Sequence, residues 1–391
     1  MKSSASKPSV KSSAKLPVKK TVAKKASLKS AKKIKRVGVL TSGGDCSGLN
    51  ATLRGIVKTL INDHGVEVIG YRDGFKGMIE NHHKKLDYYD VSGILAMGGT
   101  ILGTSNRANP FRHYDRETGN FSDISKQVVA QAKKEIDALI AIGGDGTMSM
   151  ASRFTDMGLL TVGVPKTIDN DLLATDLTFG FYSAVTTVAE SIDKIKTTAM
   201  SHHRVMVVEV MGRYAGWIAL YGGVAGGADV ILIPEIPYRL ESVIEVCNRR
   251  SAEGKGFTVV VIAEGAKHYG GELTVQKIVK DSFDQIRLGG VGWKLATDIE
   301  QSLQGVEVRV TVLGHLQRGG SPTPFDRILA TRFGVYAAGM VMRGEFAQMV
   351  ALRGSKILSV PIAEVAGKNK FVPHDHDLIL AAKSVGTTFG E

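Results

Sequence analysis

Cysteine is scarce in this 391-residue chain, which has only Cys46 and Cys247. Two thiols cannot build a disulfide framework, and so low a number suits a reducing compartment. No uninterrupted apolar run approaches the ~20 residues that a spanning helix requires. Acidic residues are missing altogether from residues 1–36, which hold 13 Lys and Arg and no aromatic side chain. A Lys/Ser/Ala stretch of that kind buries too little surface to offset its ordering entropy, so a disordered basic tail is expected there. It lacks the roughly 7–15-residue apolar core of a secretory signal, and its one arginine, Arg36, is a poor match to an Arg-rich transit peptide. The expectation is a cytoplasmic, non-membrane protein with a solvated tail, the alternative being a tail with weak, salt-sensitive attraction for polyanions.

Beyond the tail, 355 residues carry 37 basic and 38 acidic groups, so the formal charge of +12 belongs to the tail alone. A basic nucleic-acid-binding domain is disfavoured accordingly. What the body does have is glycine: 45 in the chain, above the usual ~7%. Apolar runs are expected to form strands at Val37–Thr41, Val66–Gly70, Ala138–Ile142, Leu160–Val164, Val205–Val210, Asp229–Ile233, Phe257–Ala263 and Val308–Leu313. Most are apolar on successive residues, the pattern of strands covered on both faces. Crossover helices fit between them at Leu49–Asn62, Thr147–Met157, Tyr182–Ala199 and Leu240–Arg250. This predicts an α/β fold of βαβ units, mostly parallel, in two three-layer lobes with a cleft between them.

In open α/β sheets, ligands gather where strands end and helices begin. The first strand is followed by Thr41-Ser42-Gly43-Gly44-Asp45, and Ala138–Ile142 by Gly143-Gly144-Asp145-Gly146-Thr147. Neither is GxGxxG or a Walker loop, yet glycines at a helix start let backbone N–H groups approach phosphate. Asp145 among three glycines suits a Mg²⁺–phosphate group, or simply caps a helix. Pro165-Lys166-Thr167-Ile168-Asp169-Asn170-Asp171 places carboxylates beside a lysine, either an Asx-rich loop or a general base near a cation. Arg204, Arg213, Arg309 and Arg318 lie in or beside strands and together suggest an anion pocket. Glu264, ending a strand, suits sugar hydroxyls, and His315 sits in the same glycine-flanked loop as Arg318.

Taken in order, Gly43–Asp45, GGTILGTSNR at Gly98–Arg107, GGDGT at Gly143–Thr147, PKTIDND at Pro165–Asp171, MGRYAG at Met211–Gly216 and GHLQRGGSPTPFDR at Gly314–Arg327 resemble the 6-phosphofructokinase family. The resemblance covers almost all of residues 36–345. Lipid and NAD kinases share GGDGT but lack the other motifs. The resemblance implies transfer of a γ-phosphoryl group to the 1-hydroxyl of fructose 6-phosphate, with Asp169 as base and Thr167 beside the transferring group. It implies Asp145 as the Mg²⁺ ligand, and Gly44, Arg107, Gly144, Asp145, Gly146 and Thr147 at the donor. Around the sugar phosphate it implies Thr167, Asp169, Met211, Gly212, Arg213, Glu264, His315 and Arg318. Arg204 and Arg309 would reach in from a neighbouring subunit of a homodimer or homotetramer.

Two positions bear on the donor. Gly146 matches ATP users, since a side chain there would crowd the α-phosphate; Lys166 matches pyrophosphate users. The resemblance implies ATP, with pyrophosphate as the alternative. It also implies a donor lobe of residues 37–180 with 317–367, and a fructose 6-phosphate lobe of 181–316 with 368–391. Arg54, Lys58 and Lys196 stand where regulated bacterial members hold an effector phosphate, but Tyr88 replaces an expected arginine. Residues 368–391 offer no motif.

Overall fold

A computed structural model describes residues 33–115, 117–278 and 286–391. The basic tail expected over 1–36 lies outside the described residues up to position 32, and Arg36 already belongs to the first strand. In chain order the strands are β1 (Arg36–Thr41), β2 (Glu67–Tyr71), β3 (His83–Leu86), β4 (His113–Tyr114), β5 (Phe121–Ser122), β6 (Ala138–Gly143), β7 (Thr161–Pro165) and β8 (Val205–Val210). They continue as β9 (Val230–Leu232), β10 (Thr258–Ala263), β11 (Val275–Ile278), β12 (Ile286–Leu288), β13 (Val308–Val312), β14 (Gln348–Arg353) and β15 (Lys356–Pro361). The helices are α1 (Leu49–His64), α2 (Phe75–Ile79), α3 (Ser125–Glu135), α4 (Asp145–Asp156), α5 (Phe181–His202), α6 (Trp217–Gly226), α7 (Leu240–Ala252), α8 (Val291–Ser302), α9 (Pro324–Arg343) and α10 (Asp377–Ser384).

Seven strands form one sheet in the order β15-β14-β7-β6-β1-β2-β3, parallel except for its two edge strands. A second sheet, β13-β8-β10-β9, is parallel throughout. Alternation along the strands divides the core into layers. Val37 and Val39 face α1 and α9, while Leu40 faces α3 and α4. In the smaller sheet Val208 and Val210 face α5 and α6, and Val205 and Val207 face α7 and α8. The middle layer is therefore one continuous apolar core shared by both sheets.

Backbone proximity sets two glycines in that layer. A Cβ on Gly334 of α9 would strike the Thr52 carbonyl of α1, and one on Gly55 would come within 2.9 Å of the Thr331 carbonyl. Helices α1 and α9 thus pack backbone to backbone. One charged residue interrupts the apolar run of β8. Glu209 is buried at 3% exposure, on the face toward α8, and its carboxylate accepts from the N–H groups of Gly290 (3.1 Å) and Gly292 (2.8 Å). It satisfies the orphan donors at the start of α8, where an anion is favoured.

Candidate active site

The large sheet reverses its winding between β1 and β6, because β1 leads outward to β2 and β6 leads the other way to β7. Such a switch point leaves a crevice at the carboxyl ends of the strands, and the loops of Gly43–Asp45 and Gly143–Asp145 flank it. Cross-links fix the first loop in place. Thr104 Oγ1 donates to the Gly43 carbonyl at 2.7 Å, and Gly43 N–H donates to the Ser105 carbonyl at 3.2 Å. Asn50, buried at the start of α1, donates to the Met97 and Gly98 carbonyls and accepts from Ile101 N–H. It ties the 98–107 segment to the first loop, a role that residue spacing does not reveal.

Lys166 follows β7 and is 3% exposed. Its ammonium donates to the Ser42 carbonyl at 2.9 Å and also to that of Gly44, and burial pushes it down to about 8. Asp169 backbone N–H donates to Thr167 Oγ1 at 3.1 Å, and the buried carboxylate oxygen Oδ1 of Asp169 has no hydrogen-bond partner. Burial raises the Asp169 carboxyl, and the charges of Arg318 and Lys166 oppose that rise. Asp171 is pushed up to about 7 by burial and by the charge of Asp169.

The smaller sheet presents its own carboxyl ends to the same space. Met211 N–H, just past β8, bonds Gln317 Oε1 at 3.2 Å, and Gly212 turns the chain with φ 137°. Glu264 follows β10, and burial, then the charge of Asp169, pushes it up to about 7. Arg318 crosses to the large sheet's loop, where its Nη1 donates to the Asp45 carbonyl at 3.1 Å. A Cβ on Gly44 would run into that guanidinium, so any larger residue there would displace the Arg318 side chain.

Two adjoining cavities result. One, of about 750 Å³, is bordered by Gly44, Arg107, Asp169, Met211, Arg213, Glu264, His315 and Arg318. The other, of about 350 Å³, is bordered by Gly44, Gly144, Asp145, Gly146, Thr147, Lys166, Thr167, Asp169 and Arg318. Asp169 and Arg318 belong to both and mark the junction. Arg107 also borders a third cavity of about 550 Å³ with Lys76, His113 and Tyr114. Gln276, Lys277 and Leu288, from β11 and β12, border the cavity of about 750 Å³ and were not anticipated.

The four arginines do not converge within the chain. Arg213 and Arg318 follow carboxyl ends of strands and border the cavity; Arg204 and Arg309 do not, and both bond Glu307. The register explains this. Arg309 pairs with Met206 near the amino ends of β13 and β8, about a strand's length from the cavity. Gly212 likewise shapes the loop without bordering either cavity. Lys58 lies 3.7 Å from the Tyr88 ring centroid, and Lys196 donates to the Gly226 carbonyl. Among the described residues no cluster of three His, Cys, Asp or Glu forms a metal cage, and no helix is long and apolar enough to cross a membrane.

A sequence model described as Phosphofructokinase matches residues 36–341. The chain belongs to the phosphofructokinase family. ATP-dependent 6-phosphofructokinase 2 of Clostridium perfringens is 50% identical over 92% of this chain and 99% of its own. Pyrophosphate–fructose 6-phosphate 1-phosphotransferase of Amycolatopsis methanolica is 51% identical over 86% of this chain and 96% of its own. Among solved structures, phosphofructokinase from Saccharomyces cerevisiae superposes with a TM-score of 0.71 at 32% identity; the match covers 90% of this chain and 46% of that one. Relatives named ATP-dependent 6-phosphofructokinase, including those of Spirochaeta thermophila and Bacteroides thetaiotaomicron at 47% and 46% identity, outnumber the pyrophosphate-named one.

Proposed function

We propose that the chain transfers the γ-phosphoryl group of ATP to the 1-hydroxyl of fructose 6-phosphate, giving fructose 1,6-bisphosphate and ADP. The observation that carries this reading is Asp169, a half-buried carboxylate whose buried Oδ1 is unpartnered, where a glycine-lined cavity meets one lined by arginine, histidine and glutamate. The smaller cavity, opening on the start of α4, suits the donor phosphates. The larger suits the sugar phosphate, with Arg213, His315 and Arg318 for the anion and Glu264 for hydroxyls. Residues 37–180 with 317–367 would form the donor lobe, and 181–316 with 368–391 the sugar lobe.

Asp145 fits Mg²⁺. It opens α4 at the smaller cavity, burial raises its carboxyl, and Mg²⁺ is commonly held by one or two carboxylates plus substrate phosphates. Bound there, Mg²⁺ would neutralise charge on the donor phosphates. Asp169 takes the proton of the 1-hydroxyl as its oxygen bonds phosphorus and the bond from phosphorus to the ADP oxygen breaks. Backbone N–H groups at the start of α4 would stabilise the charge spread over the transferring group. Thr167 orients Asp169 through its hydroxyl. Arg204 and Arg309, far from the cavity of their own chain, would complete a neighbouring subunit's site in a homodimer or homotetramer. Phosphorus NMR of the protein with fructose 6-phosphate and ATP-Mg tests the reaction: ADP and the bisphosphate should appear in equal amounts. No turnover with any phosphoryl donor would contradict it.

A further inference from the structure

The loop bearing Asp169 is held by a segment that carries no sequence motif and lies beyond the matched residues 36–341. Gly367 N–H donates to Asp145 Oδ1 at 2.6 Å, and Asn369 pairs with Leu172 as an isolated bridge. Val372 N–H then donates to Glu235 Oε1 at 2.8 Å. Between them Lys370 uses every polar group it has. Its N–H donates to the Asp171 carbonyl at 2.7 Å, and its carbonyl accepts from the Trp217 indole at 2.9 Å. Its ammonium donates to Asn170 Oδ1 (3.2 Å), the Thr175 carbonyl (3.0 Å) and the Asp176 carbonyl (2.9 Å). That matches the three donors of an ammonium.

We propose that Lys370 is a positioning residue for Asp169, locking the 167–178 loop so that the carboxylate stays at the junction of the two cavities. The inference rests on the phosphofructokinase reading above. Asn170, next to Asp169, has φ 50°, a conformation that a non-glycine residue keeps only when its surroundings impose it. Its side-chain oxygen accepts from Thr178 N–H at 3.1 Å and from Lys370, so Lys370 supplies part of that constraint. Thr178 Oγ1 closes the loop onto the Thr167 carbonyl at 2.7 Å. Without the ammonium, the Thr175 and Asp176 carbonyls lose a donor and residue 170 is free to relax, carrying Asp169 with it. The proposed phosphate contacts come from other elements and would stay in place.

Lys370→Met and Lys370→Gln are compared with the full-length wild type, at matched folded fraction, for kcat and both KM values. A displacement of about 1 Å costs on the order of 10²-fold in rate, so Lys370→Met should lose roughly 10²-fold in kcat with each KM within about 3-fold. Lys370→Gln, which keeps two donors, should lose less, roughly 10-fold. An unchanged kcat per folded molecule, or KM values rising as kcat falls, overturns the proposal; if the Met variant does not fold, the Gln variant decides by the same criteria. Amide hydrogen exchange needs no turnover: protection over 167–178 should fall by about 10-fold in either variant with β6 unaffected, and unchanged exchange overturns the inference. An inactive wild type whose loop exchange responds to Lys370 would instead count against the proposed function.

Discussion

Lys166 Nζ donates to the Ser42 carbonyl at 2.9 Å, and with a second bond to the Gly44 carbonyl it holds the loop after β1 from beneath. A lysine at this position matches pyrophosphate users, yet two of its three donors are committed to the backbone. This arrangement supports the ATP reading: the lysine shapes the donor loop, and Gly146, which borders the smaller cavity, has no side chain to crowd a nucleotide. Lys166→Met should strip two carbonyls of their donor at a cost of about 1–3 kcal/mol each if they stay unsatisfied. The KM for ATP should rise by roughly 10-fold with no gain in pyrophosphate use. Steady-state kinetics with both donors checks this, and an unchanged KM for ATP would remove the lysine from the donor site.

Asp169→Asn should lower kcat by roughly 10²–10⁴-fold, the usual contribution of a general base, while calorimetry still detects binding of fructose 6-phosphate. Because burial raises the Asp169 carboxyl, the acid limb of kcat/KM should lie above the ~4 of an ordinary aspartate. An acid limb at or below that value would mean that another group takes the proton.

Glu264 yields a pH effect on stability. Burial, the charge of Asp169 and that of Glu209 move its carboxyl from 4.5 up to about 7. The folded state therefore binds this proton more tightly than the unfolded chain. The penalty for ionising it is absent below pH 4.5, grows as pH rises toward 7 and is complete above that. Glu264→Gln removes the penalty, so it should raise Tm at pH 8 relative to wild type by more than at pH 4.5. Calorimetric scans at both pH values test this, and an equal shift at both would contradict the assignment.

Glu209→Leu should destabilise without touching the donor side. It would leave the N–H groups of Gly290 and Gly292 without their carboxylate, at a cost of about 1–3 kcal/mol. Urea titration should show a lower midpoint, with the KM for ATP unchanged. An unaltered midpoint would mean that water replaces the cap at no cost.

The sequence made the strands legible, because β1, β6, β7, β8 and β10 are covered on both faces and read as continuous apolar runs. The loops after them were legible for the same topological reason. Helix α9 was not, since it packs against α1 on one side and the large sheet on the other and shows no single apolar stripe. The hairpin β14–β15 was missed because its outer strand is an edge with only Val360 buried. Asn50, Glu209 and Lys370 act on partners 47 to 200 positions away, distances over which local spacing carries no signal. The separation of Arg204 and Arg309 from Arg213 and Arg318 follows from which end of a strand each occupies, visible once the strands pair in register.

The central claim is most directly tested by donor choice. Initial rates with saturating fructose 6-phosphate are measured with ATP-Mg and, separately, with pyrophosphate-Mg. The account predicts a kcat/KM for ATP at least about 10²-fold above that for pyrophosphate, as expected when one donor makes contacts the other lacks. Turnover with pyrophosphate alone would contradict it.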